Sequence, residues 1–301
     1  MSNDPQRNVA TRQSESWLSP IPLFFVFLWS TGFIVAKFGL PFAPPLTFLI
    51  LRCASVLLVL VPLVLISKAP WPTGQWRHVA VAGLLLQAGY LGGVWCAIKL
   101  GMPAGVTALI VGMQPLLTAA AAPLIGESVR ARQWVGLVLG LVGVALVVYA
   151  KVTLVGLSPL AIGFCLLALL SITVGTMYQR RFCPRFDLRT GTVVQFGATI
   201  AVLVPLAVWF EQLAPDLHTV QWTASFIGAL LWSVFALSIG AIFLLFTLLR
   251  RSDATVVTSL MYLTPPTTAI MAWLMFGEAF SLLGVIGMAV AVAGVICVVK
   301  K

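Results

Sequence analysis

Polar and aromatic side chains recur inside the long apolar runs of this chain, where lipid would leave them without partners. The candidate binding residues lie on six different runs: Trp29, Arg52, Gln87, Tyr90, Trp95, Gln114, Tyr178 and Tyr262. A buried amide or hydroxyl needs a hydrogen-bond partner, so we expect these side chains to face other helices or a cavity. Apolar aromatic walls with a few amide and hydroxyl groups suit a zwitterion that carries an apolar side chain. We expect this cavity at the middle of the membrane, lined by Trp29, Tyr90, Trp95, Tyr178 and Tyr262.

Two cations lie inside apolar runs. Lys37 is near the end of the first run, and Arg52 is about two turns into the second. A charge inside a membrane is costly and therefore indicates function. For Lys37 the alternative is that the side chain snorkels to the interface. For Arg52 we consider a structural role, through hydrogen bonds to loop carbonyls, and contact with a substrate carboxylate.

The other titratable groups lie at the ends of the runs. None of the eight carboxylates is near the centre of a run, so the usual proton carrier of an antiporter is missing. We therefore expect export driven by the concentration gradient, or coupling through another group. Glu127 and Glu278 each precede a run, where a negative charge favours the start of the following helix. His78 and His218 are expected in solvent.

Motifs for ATP-driven transport and for catalysis are absent from the sequence. There is no GxxxxGK[ST] phosphate loop, no serine-hydrolase motif and no zinc motif. The five cysteines have no CxxC or CxxH spacing, which argues against a disulfide framework or a metal site. We predict no enzyme, no cofactor and no metal.

The chain contains an internal repeat that explains where these residues must lie. Gly105–Tyr149 aligns with Val256–Lys300 at an offset of 151 positions, with twelve of the forty-five positions identical. The informative identities are Pro115/Pro266, Gly126/Gly277, Glu127/Glu278, Gly136/Gly287 and Gly143/Gly294. A proline in the middle of a transmembrane run interrupts the helix, and paired interruptions in two halves point to a transporter's substrate site.

Composition indicates an all-α membrane protein. Of the 301 residues 60% are hydrophobic and 9% are charged, and the net charge of +10 lies in short loops, which argues against nucleic acid. Ten transmembrane helices are predicted, at 21–39, 46–66, 79–99, 104–125, 133–150, 159–178, 192–210, 223–249, 255–276 and 282–299. The predicted organisation is an amino-terminal tail, 1–19, followed by five-helix repeats at 20–151 and 152–301.

Lysine and arginine set the orientation of these helices. If the amino terminus is cytoplasmic, fourteen basic residues lie on the cytoplasmic side and only Lys99 and Lys151 lie opposite. Both termini are therefore predicted to be cytoplasmic. Because each repeat has five spans, the second must be inverted relative to the first. Glycines on spans 5 and 10 predict close helix packing, and a homodimer through this face is the alternative to the monomer that we favour.

These features resemble the drug/metabolite transporter superfamily, and within it the EamA-type members. The residues that carry the resemblance are Leu28-Trp29-Ser30, Pro115 to Gly126-Glu127, and Pro266 to Gly277-Glu278. The overall sequence is most similar to the YddG-like group of bacterial exporters of aromatic and other amino acids. The resemblance implies a basket of helices around a central cavity, export across the inner membrane by alternating access, and spans 5 and 10 outside the cavity. A drug or nucleotide-sugar carrier of the same fold is the alternative.

Overall fold

The computed structural model describes residues 20–121, 131–155, 157–183, 186–241, 244, 263–278 and 281–299. The regular structure in these ranges is helical throughout. In chain order the helices are α1 (Pro20–Gly39), α2 (Pro45–Ser67), α3 (Trp76–Lys99), α4 (Ala104–Val111), α5 (Gln114–Ala121), α6 (Ala131–Val155), α7 (Pro159–Phe182), α8 (Leu188–Glu211), α9 (Ala224–Ala241), α10 (Thr264–Phe276) and α11 (Leu282–Val299).

Six of these helices are long and apolar enough to cross a bilayer, namely α1, α2, α3, α7, α8 and α9. Helices α6 and α11 occupy the fifth and tenth predicted spans, and α4 with α5 occupies the fourth. Of the ninth predicted span, the described part begins at residue 263. An all-helical membrane protein is therefore confirmed, while the count of ten spans stays a prediction.

Local sequence explains where several helices begin. Pro45 and Pro159 lie in the first turn of α2 and α7, where the missing N–H has no intrahelical acceptor to lose. The Thr223 side chain accepts a hydrogen bond from the backbone N–H of Phe226, at 3.2 Å, and so caps α9. These starts place the polar connections at the ends of the apolar helices.

The fourth predicted span is interrupted. Gly112 and Met113 form a turn between α4 and α5, and Pro115 lies in the first turn of α5. The interruption predicted at Pro115 is thus a complete break of the helix and not a kink. In the second repeat, Leu263 has 3₁₀ geometry directly before α10, whose first turn contains Pro266. Leu263 follows Gly112 by 151 residues, so the start of α10 occupies the same register of the repeat as the break between α4 and α5.

Two helices contain π-helical stretches, which the sequence analysis did not predict. They are Leu84–Leu91 within α3 and Trp232–Ala241 within α9. Shifted by the repeat offset, the first would cover 235–242, so the two stretches overlap. No residue of Leu84–Leu91 is fully buried, although Gly83 before it and Gly92 after it are. The middle of α3 therefore borders a less densely packed region, and π-helical turns are frequent at functional sites.

Helices α6 and α11 pack against each other through glycines. A Cβ atom on Gly143 would lie 2.3 Å from the backbone nitrogen of Ala291 and 2.6 Å from the carbonyl oxygen of Gly287. A Cβ atom on Gly294 would lie 2.6 Å from the carbonyl oxygen of Gly136. Adding 151 to Gly143 gives Gly294, and subtracting 151 from Gly287 gives Gly136. The contact of Gly143 with Gly287 therefore corresponds to the contact of Gly294 with Gly136. The two helices are thus antiparallel, and their contacts map onto one another.

Polar contacts close one end of the bundle, which we call the Lys37 end. Lys37 forms an ion pair with Glu278, and its Nζ lies 4.5 Å from the centre of the Phe276 ring. The same carboxylate accepts a hydrogen bond of 3.1 Å from the backbone N–H of Ala104, at the start of α4. A negative charge is favourable there. This cluster joins the end of α1, the start of α4 and the residues that follow α10.

The ion pair changes two expectations from the sequence. Lys37 reaches a carboxylate within the protein, so snorkelling to the interface does not account for its position. Glu278 does lie at a helix amino terminus, but the helix is α4 and not the one that follows in the chain. A second carboxylate, Glu211 at the end of α8, accepts hydrogen bonds from the N–H groups of Leu46 and Thr47 at the start of α2, at 2.7 and 2.8 Å.

We predict that Gly143→Ala and Gly287→Ala each lower the apparent Tm in detergent by several degrees. The added Cβ would clash with backbone atoms of the facing helix, which cannot rotate away. Gly228→Ala is the matched control, because nothing lies within 4 Å of a Cβ there and alanine favours the helix. Equal Tm values for all three variants would contradict the close packing of α6 on α11.

We predict that Lys37→Met and Glu278→Gln are coupled in a double-mutant cycle, by roughly 1 kcal/mol or more, since each single variant strands a partly buried charge. Thermal unfolding of the purified protein measures the coupling. The control is the pair of Arg189 with Asp187, whose Nη2 and Oδ2 atoms are 2.9 Å apart. Arg189 holds the pKa of Asp187 below its ordinary value, but this pair faces solvent and should couple more weakly. Equal coupling of the two pairs would contradict a buried contact at the Lys37 end.

Candidate functional site

The break in the fourth span lies against the start of α10. A Cβ atom on Gly112 would be 2.8 Å from the Cγ atom of Pro265, and a Cβ atom on Gly105 would be 3.0 Å from the Cα atom of Ala269. Gly105 and Gly112 thus allow α4 and α10 to approach closely, and Gly112 lies at the break that ends α4. Irregular backbone at membrane depth is tolerated only where protein or a water-lined cavity covers it.

Buried hydroxyl groups surround this crossing. The Ser30 hydroxyl on α1 donates to the Val26 carbonyl at 2.7 Å and lies 3.5 Å from the Thr264 carbonyl. The Thr268 hydroxyl lies 3.5 Å from the Ser30 carbonyl. The Thr264 hydroxyl is buried and has no hydrogen-bond partner within the described ranges. These groups were not among the predicted site residues, and their only signal in the sequence was their polarity.

Gln114 lies directly after the break in the fourth span. Its side-chain amide donates to the Thr176 hydroxyl on α7 at 3.1 Å, and both side chains are partly buried. This contact connects the amino terminus of α5 to the helix that packs against the π stretch of α3. Gln114 was predicted to face a cavity or another helix, and in this conformation it bonds to a helix.

Arg52 is buried inside the bundle, with 9% of its surface exposed. Its Nε and Nη2 atoms both donate to the Ser238 hydroxyl on α9, at 3.1 and 3.0 Å. The bonds to loop carbonyls that we considered for Arg52 are not the ones that it makes. Where the structure describes acidic residues, none of them pairs with this guanidinium.

Gln87 and Tyr90 lie on the π stretch of α3. Tyr90 packs against the hydrophobic core and is close enough to Arg52 for an electrostatic interaction. Gln87 is partly exposed, and its amide makes no hydrogen bond to the described part of the chain. An amide at this depth without a protein partner requires water or a ligand.

The predicted tryptophans differ in their surroundings. Trp95 is buried, with 2% of its surface exposed, and its ring centre lies 4.4 Å from that of Phe48. Phe48 in turn contacts Phe226 on α9, so these rings form an aromatic layer of the core toward the Lys37 end. Trp29 is partly buried and lies 5.5 Å from Phe25 on the same helix. In this conformation Trp29 offers more accessible surface than Trp95.

Tyr178 lies at the opposite end of the bundle from Lys37, and not at the middle of the membrane as predicted. Its hydroxyl is 2.8 Å from Nδ1 of His78, at the start of α3. The His78 ring stacks on Phe182, with the ring centres 5.1 Å apart. The expectation that His78 points into solvent is therefore wrong. Tyr178 lies only one turn from the end of α7, which explains its position.

The remaining candidates fall outside the described residues, namely Tyr262 and Glu127. Among the residues that the structure describes, no group of three His, Cys, Asp or Glu side chains could hold a metal ion. Together the described candidate residues offer hydrogen-bonding hydroxyls and amides, aromatic surface and one buried cation. Such groups can bind and orient a small molecule.

Comparison with known proteins finds matches to transporters along nearly the whole chain. The family model described as the EamA-like transporter family matches residues 21–149 and again residues 159–300. A solved structure aligns with a TM-score of 0.62 at 23% identity, covering 94% of this chain and 96% of that chain, which supports the fold.

Curated relatives cover nearly the full length. The uncharacterized transporter YvbV of Bacillus subtilis is 29% identical, over 92% of this chain and 89% of its own. The uncharacterized inner membrane transporter YedA of Escherichia coli is 26% identical, over 92% and 90%. A protein of Salmonella typhimurium named a probable amino-acid metabolite efflux pump is 25% identical, over 91% and 92%. With two matches of the family model and an all-helical membrane fold, the chain belongs to the EamA-like transporter family.

Proposed function

We propose that this chain is a secondary transporter that exports amino acids, aromatic or otherwise apolar, and similar small metabolites across the bacterial inner membrane by alternating access. The observation that carries the proposal is the close contact of the break in the fourth span with the proline-containing start of α10, with Gly112 against Pro265. Interrupted helices at matching places in two halves mark the substrate site of many transporters. The relatives named amino-acid metabolite efflux pumps support amino acids as the class of cargo.

We further infer that the ten spans form two inverted five-helix repeats, 20–151 and 152–301, after a cytoplasmic tail at 1–19. The exchange of glycine contacts between α6 and α11 supports this organisation. An exchange of this kind between antiparallel helices is what a twofold axis in the membrane plane would produce. The overlap of the two π stretches at the same offset is a second, independent support.

The proposed cavity lies beside the π stretch of α3 and the breaks of the fourth and ninth spans. Its proposed lining keeps the residues named from the sequence, namely Trp29, Arg52, Gln87, Tyr90, Trp95, Gln114 and Tyr262. Tyr178, which bonds to His78, belongs to the mouth of this cavity at the end opposite Lys37. Partial exposure of Gln87 and Tyr90 supports their role as wall residues.

We infer that the Lys37 end faces the periplasm and that both termini are cytoplasmic. The distribution of basic residues supports this orientation. At the Lys37 end, the contacts of Glu278 with Lys37 and with the Ala104 N–H lie above the aromatic layer of Phe48 and Trp95. These layers would close the periplasmic side of the proposed cavity.

We predict that His218→Cys, in the exposed loop after α8, is labelled by an impermeant maleimide added to intact cells. Thr73→Cys, in the exposed loop between α2 and α3, should be labelled only after the cells are permeabilised. Both variants are made in a chain without the five native cysteines. The opposite labelling pattern would reverse the orientation, and labelling of both cysteines from outside would contradict the topology.

We predict that Tyr90→Ala lowers counterflow of phenylalanine in proteoliposomes roughly five- to tenfold more than counterflow of alanine, because aromatic stacking worth about 1 kcal/mol is lost. Trp209→Ala is the control, since this side chain is 81% exposed at the end of α8 and should change little. The assay contains an uncoupler and equal pH on both sides, because we expect concentration-driven exchange.

Three outcomes of this assay would contradict separate parts of the proposal. No counterflow of any amino acid, with efficient counterflow of a drug or a nucleotide sugar, would favour the alternative cargo. Strict dependence on an imposed pH gradient would contradict concentration-driven export. Equal effects of Tyr90→Ala on both amino acids would remove Tyr90 from the cavity wall.

A further inference from the structure

Arg52 is a buried cation whose charge nothing in the described structure balances. Its Nε and Nη2 atoms share one acceptor, the Ser238 hydroxyl. That hydroxyl in turn donates to the Ser233 carbonyl at 2.9 Å. A guanidinium has five N–H groups, and Nη1 makes no hydrogen bond to a described residue. A neutral hydroxyl cannot neutralise a charge inside a membrane, where an unpaired cation is costly.

The position of Arg52 links the two π stretches. Its hydrogen-bond acceptor, Ser238, lies on the π stretch of α9, and its neighbour Tyr90 lies on the π stretch of α3. The guanidinium carbon is 5.9 Å from the centre of the Trp95 ring, over which it lies. The N–H groups of the Arg52 guanidinium thus lie beside the aromatic surface of Trp95, between two helices that have π-helical geometry there.

We infer that Arg52 binds a carboxylate of the transported molecule, so that the cargo class is small carboxylates with an apolar side chain. The inference rests on the proposed transport function and narrows it. The planar guanidinium fork matches a carboxylate through two parallel hydrogen bonds. Nε keeps its bond to Ser238 and orients the fork, while Nη1 and Nη2 meet the two carboxylate oxygens. The apolar part of the cargo packs along Trp95 and Tyr90.

A single carboxylate fits this site better than a phosphate group. A phosphate monoester or diphosphate carries about two or more negative charges and requires several cations. The other intramembrane cation, Lys37, is already paired with Glu278. Amines, amides and neutral sugars, in turn, would leave the guanidinium without an anion.

A purely structural role for Arg52, as a connection between α2 and α9, makes a different prediction. In that case a substitution at Arg52 lowers stability or transport to the same extent for every ligand. A carboxylate anchor instead predicts that the substitution removes the preference for the carboxylate form of a ligand over its amide. The ratio of the affinities for the carboxylate and for the amide therefore distinguishes a carboxylate-binding role of Arg52 from a structural one, even where the variant is less stable.

The experiment measures inhibition of phenylalanine counterflow, and ligand-induced thermal stabilisation of the purified protein, with phenylalanine, phenylalaninamide and phenylpyruvate. In the unmodified protein we expect phenylalanine to bind at least roughly tenfold more tightly than its amide, as for a charge-assisted hydrogen-bonded pair. In Arg52→Gln this ratio should fall to about one, and Arg52→Lys should retain part of it. Ser238→Ala should weaken phenylalanine binding a few-fold and keep the ratio above one.

Lys99→Gln is the charge-matched control, because it removes a cation that bonds to the Leu40 carbonyl at the Lys37 end. It should leave the ratio unchanged. Monodisperse gel filtration establishes that each variant is folded. The proposal that Arg52 binds a carboxylate is wrong if folded Arg52→Gln keeps the phenylalanine-to-phenylalaninamide affinity ratio of the unmodified protein. It is also wrong if no carboxylate stabilises the unmodified protein. If phenylpyruvate binds in an Arg52-dependent manner and phenylalanine does not, Arg52 is still a carboxylate-binding residue, but the proposal that amino acids are the transported molecules is wrong.

Discussion

Backbone N–H and C=O groups at membrane depth must find partners within the protein, and this constraint determines how the broken helices are arranged. A new helix that starts inside the membrane brings up to four N–H groups without acceptors. Pro265 and Pro266 remove two such donors from the start of α10, and Pro115 removes one from α5. These prolines therefore permit a helix to begin in an apolar environment, which is a different role from kinking a continuous one.

The close approach of helices follows from the same constraint. Covering a break requires another backbone within van der Waals contact, and only glycine or alanine allows it, as at Gly105 and Gly112 against α10. The glycines of α6 and α11 serve the packing of these two helices on each other, and Gly140 also lies against Met113 and Leu116 at the break. Small residues thus have two functions in this chain. Some allow α6 and α11 to pack closely, and others allow neighbouring helices to cover the interruptions that face the proposed cavity.

Carboxylates fix one end of this arrangement. Glu278 and Glu211 both follow helices of the second half of the chain, and both bond to helix amino termini in the first half, at Ala104 and at Leu46 and Thr47. Both halves are therefore joined at the Lys37 end by hydrogen bonds that the carboxylate oxygens accept. Separation of the halves at that end requires water or other donors to replace these bonds, which favours two discrete states over a gradual opening.

The sequence was sufficient to predict helices, family and the location of the breaks, because these depend on local patterns of apolar residues, prolines and glycines. The sequence did not allow us to predict contacts between residues that are distant in the chain. The partner of Lys37 lies 241 positions away, and Ser238 is 186 positions from Arg52. The π stretches carry no compositional signature, since they result from one extra residue accommodated in a helix. Tyr178 was placed too deep because helix ends cannot be located to better than a few residues from the sequence.

Lys37 and Arg52 show how a membrane protein can use the same charge in two ways. Lys37 is neutralised by Glu278, so its contribution is to hold helices together in one conformation. Among the described residues Arg52 bonds to a hydroxyl and to no anion, and its attraction for an anion is strong while water is excluded, since the local dielectric constant is low. When the site opens, water hydrates the guanidinium and screens that attraction. Under the proposed anchor, an unpaired cation at this depth would hold a carboxylate while the site is closed and release it when the site is open, as the proposed export by alternating access requires.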